Sequence, residues 1–446
     1  MKIVIIGAGP CGLGAAKRLD ELSQEDWILL ERESYPGGLS SSFVDKKGFT
    51  WDVGGHVLFS HYPEFDKMLE ETCGGELLSH QRKSFIKLGP SRIPYPFQNN
   101  LHHLPPAKAS EALSGLKKAP GGDPSMSLDR WLEATFGASI YQLFMRPYNQ
   151  KVWATDLSLM ASNWIAERIS VVHYPQALKN IRSRLDSSEW GPNRTFRFPL
   201  RGGTGEIFRR LAKGLPQDRM KYNTEALRLD VKKRTLYLRS GPPVTFDCLI
   251  NTMPLDELIR RAKDAPSSVH QQAERLRYSG TYVVGCGLEV PLSDDWTWMY
   301  FPESDVPFNR VTNFARYSPH NVAHGNTKRY CSFMCETSFS DTKPQEKDQV
   351  MEATWKGLYD SGLAVRTAKR ASEYVIKVPY AYPVPTLDRD EALRHIQAYL
   401  MKNRIYSRGR FGAWLYEVGN MDHSFKQGRD VVDYILRKKE EKVWKL

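Results

Sequence analysis

The stretch from Ile3 to Leu19, IVIIGAGPCGLGAAKRL, decides the fold. Ile3 to Ile6 is a short apolar run, the pattern of a strand buried on both faces of a parallel sheet. Gly7-Ala8-Gly9-Pro10-Cys11-Gly12 follows, and Leu13 to about Leu22 reads as a helix. Trp27 to Leu30 is a second strand, with Glu31 at its end. Strand, glycine turn, helix and strand make a βαβ unit, the context in which GxGxxG carries meaning. Gly7 makes the tight turn, Gly9 lets the backbone approach a pyrophosphate, and Gly12 lets helix and strand pack closely. The helix N-terminus favours phosphate charge. Glu31, 19 residues beyond Gly12, is placed to accept a hydrogen bond from an adenosine ribose.

The glycines that follow point to FAD rather than NAD. Pro36-Gly37-Gly38-Leu39 and Asp52-Val53-Gly54-Gly55-His56 allow backbone to pass close to a planar ring system. Gly285-Cys286-Gly287 lacks a third glycine, so a second nucleotide fold is not expected, and no redox-active cysteine pair follows the first one. Across 446 residues, 41% are hydrophobic and 26% charged, a balance that builds a core and excludes disorder as the main state. That length suggests two or three packed units. The net charge of +12 invites an anionic partner. Nucleic acid would need a basic face with interleaved aromatics, and no such motif is present. Six cysteines make neither a disulfide framework nor a zinc pattern: Cys331 and Cys335 have no second pair at ligand spacing, so no metal is expected. They read as buried free thiols of a reducing compartment, and the expected location is cytoplasmic. No apolar run is long enough to predict a membrane span. The segment Ile3 to Ala16 superficially mimics a signal peptide, but its four glycines and the following Lys17-Arg18 argue against one.

Beyond the first unit, residues from about 102 to 190 read as helical, with Leu128, Trp131 and Leu132, then Ile140, Leu143 and Phe144, at three- and four-residue spacing. Leu227 to Asp230, Thr235 to Leu238 and Thr245 to Ile250 read as a meander turning at Gly241-Pro242-Pro243. Residues 281–288 and 329–335 are further predicted strands. Trp296, Trp298 and Tyr300 recur at period two, which predicts one strand with all three on a single face.

Several unusual words in order carry a resemblance: DVGGHVLFSH at Asp52 to His61, PYPFQNN at Pro94 to Asn100, FMRPYNQKVW at Phe144 to Trp153, WGPNRTFRFPLRGGTG at Trp190 to Gly205, and SRGRFGAWLYEVGNMDHSF at Ser407 to Phe425. From Ile3 to about Asp433 the chain resembles the UDP-galactopyranose mutases of eukaryotic type. The resemblance implies an α/β fold: a GxGxxG FAD-binding Rossmann-like domain with an inserted helical domain and an antiparallel β-sheet substrate domain. The boundaries it suggests are residues 1–85, 195–265 and 396–446 for the FAD-binding domain, 101–194 for the helical domain, and 86–100 with 266–395 for the β-sheet domain. It implies a flavin-dependent isomerase that interconverts UDP-galactopyranose and UDP-galactofuranose through a flavin N5–sugar adduct. Such a reaction is redox-neutral but requires reduced FAD, with NADPH or NADH as a possible reductant.

The resemblance also implies residue roles. Tyr95 and Phe97 would stack the uracil and Gln98 hydrogen-bond its edge. Arg168 and Arg310 would clamp the diphosphate, for which a guanidinium fork is well shaped. Tyr317, Tyr382 and Tyr416 would donate hydroxyls to it. Asn149, Trp153 and Asn193 would surround the sugar, and Trp298 and Tyr300 would add to the substrate site. Around the cofactor the expected set is Gly7, Gly9, Cys11, Gly12, Glu31, Arg32, Gly38, Leu39, Gly54, Gly55, His56, Arg82, Arg410, Gly419, Asn420, Met421 and Ser424. His56 is expected to act through its backbone beside the isoalloxazine rather than as a general base, since Gly54-Gly55 permits a peptide flip. No paired carboxylates and no Ser/His/Asp set stand out, which fits chemistry carried by the cofactor.

Three positions depart from the fungal pattern: Met421 replaces Gln, Glu189 replaces Asn, and Asn309 replaces an aromatic. Glu189 near an anionic substrate would be unfavourable unless it faces away. A mutase of the same mechanism on a different nucleotide sugar therefore stays open. An amine-oxidase-like FAD oxidoreductase is the other alternative, although an amine substrate needs neither diphosphate arginines nor a uracil slot.

Overall fold

A computed structural model describes residues 1–165 and 168–445. Its centre is a five-stranded parallel sheet in the order 405–407, 248–251, 3–6, 27–30, 220–221. Ile3–Ile6 and Cys248–Asn251 are buried along their whole length, which is why they read as continuous apolar runs. Ile3 and Ile5 face one core with the helices Pro10–Glu21 and Met421–Arg437, while Val4 and Ile6 face another with Leu255–Arg261 and Arg389–Lys402. The helices Pro10–Glu21 and Met421–Arg437 cross with almost no space between them. A β-carbon on Gly428 would stand 1.9 Å from the Cys11 carbonyl oxygen, and one on Gly14 would stand 2.3 Å from that of Phe425.

A second, seven-stranded sheet runs in the order 370–384, 277–288, 331–339, 310–313, 298–300, 84–88, 91–94. It is antiparallel throughout except where 298–300 pairs in parallel with 84–88. The third part is helical, built from Pro106–Lys118, Leu128–Ile140, Arg146–Trp153 and Tyr174–Ser183 around a core that includes Phe97, Trp131, Phe144 and Trp164. All six cysteines are buried and unpaired. Among the described residues no helix is long and apolar enough to cross a membrane.

Two expected strands need correction. Thr245 to Ile250 is not one strand: Val244–Thr245 closes the three-stranded meander, whereas Cys248–Asn251 leaves it for the parallel sheet. The exposed Asp247 marks the break; its carboxylate accepts from the Lys2 backbone N–H at 2.7 Å, beside the start of the first strand. Nor do Trp296, Trp298 and Tyr300 share a face. The strand is Trp298–Tyr300; Trp296 precedes it, tied to Asp294 at 2.9 Å and stacked 5.7 Å from Phe333 in the core on Met299's side. Trp298 packs instead on Phe196, 5.8 Å away.

Candidate active site

The glycine turn forms the first wall. Gly7 adopts φ +98°, open to glycine at little cost, and a β-carbon on Gly12 would stand 1.8 Å from the Gly7 carbonyl oxygen. Gly9 differs: a β-carbon there would meet only the Gly37 oxygen and the Gly38 Cα, both at 4.0 Å. The two glycine turns thus face each other across a gap that a side chain would fill. The helix starting at Pro10 has Gly9 at its N-cap, no side-chain cap and no acidic residue in its first turn. Its free N–H groups and positive end suit an anion. Glu31, at the end of the neighbouring strand, accepts the backbone N–H groups of Ala8 at 2.7 Å and Glu33 at 2.9 Å. Burial pushes its carboxyl up, partly countered by those two bonds. Arg32 points outward to Glu33. Gly409 packs on Cys11, and Ser424 lies buried in the first turn of Met421–Arg437, which crosses this helix. Met421 packs against the core of the parallel sheet.

The second wall is the seven-stranded sheet. Tyr300, Arg310 and Glu336 stand directly opposite one another on three adjacent strands. Cross-strand partners point to the same face, so the register lines up a phenol, a guanidinium and a carboxylate. Glu336 is 2% exposed and accepts three bonds from Arg310, at 2.6 and 2.9 Å from Nη2 and 3.0 Å from Nε. Burial pulls the Arg310 pKa down, and the Glu336 carboxylate more than reverses this. The same carboxylate accepts the Gly55 N–H at 2.8 Å. Glu336 therefore ties the Gly54–His56 turn to Arg310. Gly55 has no room for a side chain: a β-carbon there would stand 2.5 Å from Thr312 Oγ1. Gly54 lies at φ +105°. Burial pushes His56 down to about 4, aided by Arg310 and Arg410 and only partly countered by the Glu336 carboxylate. Neutral near pH 7 and with Nδ1 buried and without a hydrogen-bond partner among the described residues, His56 is poorly placed to be a protonated acid.

Aromatic rings close the third side. Trp153, Trp164, Tyr382 and Tyr416 pack together, with Trp153 4.8 Å from Tyr416 and 5.8 Å from Tyr382. Arg168 and Arg410 each lie over the Tyr416 ring, at 5.2 and 5.3 Å. Arg168 donates to the carbonyl of Glu417 at 2.6 Å and to Asn420 Oδ1 at 3.1 Å; Arg410 donates to the carbonyls of Ala381 at 2.9 Å and Gly419 at 3.3 Å. On the other flank Tyr95 lies 5.2 Å from Tyr300 and 6.2 Å from Trp190, with Tyr148 5.2 Å beyond Tyr300. Arg82 covers Tyr95 at 5.2 Å and donates to Asn193 Oδ1 at 2.5 Å and to the carbonyls of Ser188 and Trp190. Among the described residues Arg82, Arg168 and Arg410 have no carboxylate partner, so three buried or half-buried positive charges are left for an anion to neutralise. Burial pushes the phenols of Tyr95, Tyr148, Tyr300 and Tyr382 up, which keeps them as donors.

The remaining expected residues have these surroundings. Arg82 belongs to the Tyr95 and Asn193 group. Phe97 is 0% exposed and stacks on Phe144 inside the helical core, and Gln98 donates to the Ser170 carbonyl. Asn149 bonds back to the carbonyl of Met145, the residue that caps its helix, at 2.7 Å. Tyr317 is enclosed by Phe196, Phe198 and Phe314. Leu39 packs between two cores. Glu189 is exposed and paired with Arg194 at 2.9 Å, and Asn309 is buried against Ser338. Glu336 and Tyr148 escaped sequence reasoning. Tyr148 lies inside the FMRPYNQKVW word, but Glu336 is one acidic residue in a strand and only the register gives it a partner.

A family of flavin containing amine oxidoreductases matches residues 10–423, and the chain belongs to it. Within that class it falls in the UDP-galactopyranose mutase family: a solved structure of reduced UDP-galactopyranose mutase is 40% identical, with a TM-score of 0.95, covering 99% of this chain and 95% of that one. A putative protoporphyrinogen oxidase from Exiguobacterium sp. shares the fold at 16% identity, TM-score 0.75, over 98% of this chain and 99% of that one. Curated relatives, the 15-cis-phytoene desaturases of Narcissus pseudonarcissus and Arabidopsis thaliana, are 30% and 32% identical over 92 residues, which is 21% of this chain and 16% of theirs. The residues present fit FAD. The gap at Gly9, the uncapped helix end and the Glu31 carboxylate would hold its pyrophosphate and ribose.

Proposed function

We propose that this chain interconverts UDP-galactopyranose and UDP-galactofuranose. One observation carries the proposal: among the described residues Arg82, Arg168 and Arg410 lack carboxylate partners, and they converge, with Arg310, on a tyrosine-lined site beside a dinucleotide cradle. A nucleoside diphosphate sugar supplies the missing negative charge and an aromatic base. When bound, reduced FAD supplies the nucleophile for the anomeric carbon, which makes the isomerisation redox-neutral.

In this reading Arg168 and Arg310 hold the diphosphate, and Tyr382 and Tyr416 donate hydroxyls to it. Tyr95, with Tyr300 beside it, flanks the uracil; Asn193 and Trp153 border the sugar. Glu336 fixes Arg310 and the Gly54–His56 turn at once. Glu189, turned to solvent against Arg194, places no carboxylate against the substrate, which removes the reason to favour a different sugar. The three sequence-derived domains, residues 1–85 with 195–265 and 396–446, 101–194, and 86–100 with 266–395, frame this site. NADPH or NADH would serve as reductant, and a cytoplasmic location suits six free thiols.

Anaerobic incubation of dithionite-reduced enzyme with UDP-galactofuranose, followed by separation of products, tests the proposal. UDP-galactopyranose is the expected product. No conversion, or oxidation of one substrate per flavin, would overturn it.

A further inference from the structure

His61, Asp422 and His423 converge from distant parts of the chain. His61 closes the DVGGHVLFSH segment, and Asp422 and His423 lie in the first turn of the helix Met421–Arg437. His61 Nδ1 lies 2.7 Å from Asp422 Oδ2, and its backbone N–H donates to the same oxygen at 3.1 Å. His423 Nδ1 points to Asp422 Oδ1 from 3.3 Å without a hydrogen-bond geometry, and among the described residues it has no hydrogen-bond partner although His423 is only 9% exposed. The two imidazole rings are 5.0 Å apart. All three potential ligand atoms lie within 4.8 Å of one another. We propose that this cluster binds a divalent transition-metal ion of the zinc class, through the two imidazole nitrogens and the Asp422 carboxylate, with water completing the sphere.

The donor set is the borderline nitrogen and oxygen chemistry that zinc takes. Tetrahedral bonds of about 2.0–2.2 Å place ligand atoms roughly 3.4 Å apart. The two contacts reach different oxygens of Asp422: His423 Nδ1 already has that spacing to Oδ1, and the 2.7 Å contact of His61 Nδ1 with Oδ2 opens by roughly 0.7 Å as the ion, held between the two oxygens, replaces the shared proton. Asp422 is 1% exposed and turns one carboxylate oxygen toward each ring. One carboxylate and two neutral imidazoles leave the ion a single excess charge. An ion would also give the buried His423 Nδ1 the partner it lacks. Its mechanical effect is a clamp: it fastens the end of the segment that carries Gly54–His56 to the helix that crosses the glycine turn.

A second cluster, His102 and His103 on Asp186 Oδ1 at 3.0 and 2.6 Å, also has metal-binding residue types and must be removed from the measurement. The test therefore uses FAD-loaded, EDTA-stripped enzyme carrying Asp186→Ala. Zn²⁺ is titrated by calorimetry, and Co²⁺ by absorbance at wavelengths beyond the flavin band. One equivalent should bind, and His61→Asn or His423→Asn should weaken it at least about tenfold, the lower end of what loss of even an outer-shell partner costs. The flavin spectrum reports whether each variant is folded, and His61→Asn, at an exposed position, decides the matter if His423→Asn does not fold. Absence of Zn²⁺ binding in Asp186→Ala enzyme, or unchanged affinity in His61→Asn, would overturn the proposal.

Discussion

Arg168 and Arg310 are asked to do the same job but stand in different surroundings, and the difference is measurable. Arg168 bonds only neutral oxygens, so Arg168→Ala should cost substrate contacts and little else. Loss of one charge-assisted hydrogen bond, ~1.5–3 kcal/mol, corresponds to roughly 10- to 150-fold in affinity for UDP. Arg310→Ala should weaken UDP by a similar factor and also strand Glu336 with a buried, unpaired carboxylate, lowering stability by ~3 kcal/mol. Lysine at either position should be milder, since it keeps the charge and loses the fork. Unchanged UDP affinity in both alanine variants, read by equilibrium titration, would remove them from the diphosphate site. A pH test belongs at this scale too. Asp52 is fully buried, bonded to Ser42 Oγ at 2.5 Å and to the Thr204 hydroxyl, and burial outweighs these bonds to push its carboxyl up to about 6. The native state thus holds a proton that the unfolded chain releases near pH 4. Its contribution is present at low pH and lost as pH rises through about 6. Between pH 4 and 7 wild type should lose on the order of 3 kcal/mol relative to Asp52→Asn, at about 1.4 kcal/mol per pH unit. Denaturation midpoints with a pH-independent gap would refute this.

At the scale of elements, the glycines separate space for a ligand from space for packing. Gly9→Ala adds a methyl that meets no protein atom closer than 4.0 Å, so the chain should fold but lose flavin. Gly12→Ala and Gly428→Ala would put a carbon within 2 Å of a backbone oxygen, so they should lose soluble, folded protein altogether; overpacking commonly costs ~1–3 kcal/mol even where neighbours can move. Circular dichroism with flavin absorbance distinguishes the two classes; equal behaviour of Gly9→Ala and Gly12→Ala would show that the Gly9 gap is not a ligand cradle. Legibility follows the same line. Ile3–Ile6, the turn and Glu31 were readable because a buried parallel strand and a glycine turn leave local marks. Glu336 was not, because its role comes from a register that sets it opposite Arg310, 26 residues away. Trp296 misled because period two persists through a strand only while the backbone stays in it, and the Asp294 contact turns the chain first. Asp422 and His423 meet His61 only through the packing of the last helix.

For the molecule as a whole, the decisive quantity is the redox state of the bound flavin. The parallel sheet cradles a dinucleotide, the antiparallel sheet brings Arg310 and Glu336, and the aromatic side carries Arg168 and Arg410. None of these elements offers the described residues an acid–base pair: His56 is held neutral, and the carboxylate nearest to it, Glu336, is committed to Arg310 and Gly55. Catalysis must then depend on what the cofactor supplies, and for an isomerisation that is nucleophilic character present only after reduction. Oxidised enzyme should be inert toward UDP-galactofuranose. Anaerobic dithionite should start turnover, and many product molecules should form per flavin with no further reductant consumed. Re-oxidation by air should stop the reaction without damaging the protein, and a second reduction should restore it. Equal rates for oxidised and reduced enzyme would refute the dependence on reduction. One equivalent of reductant consumed per product would instead make the chain an oxidoreductase, in keeping with the wider amine oxidoreductase class rather than the mutases.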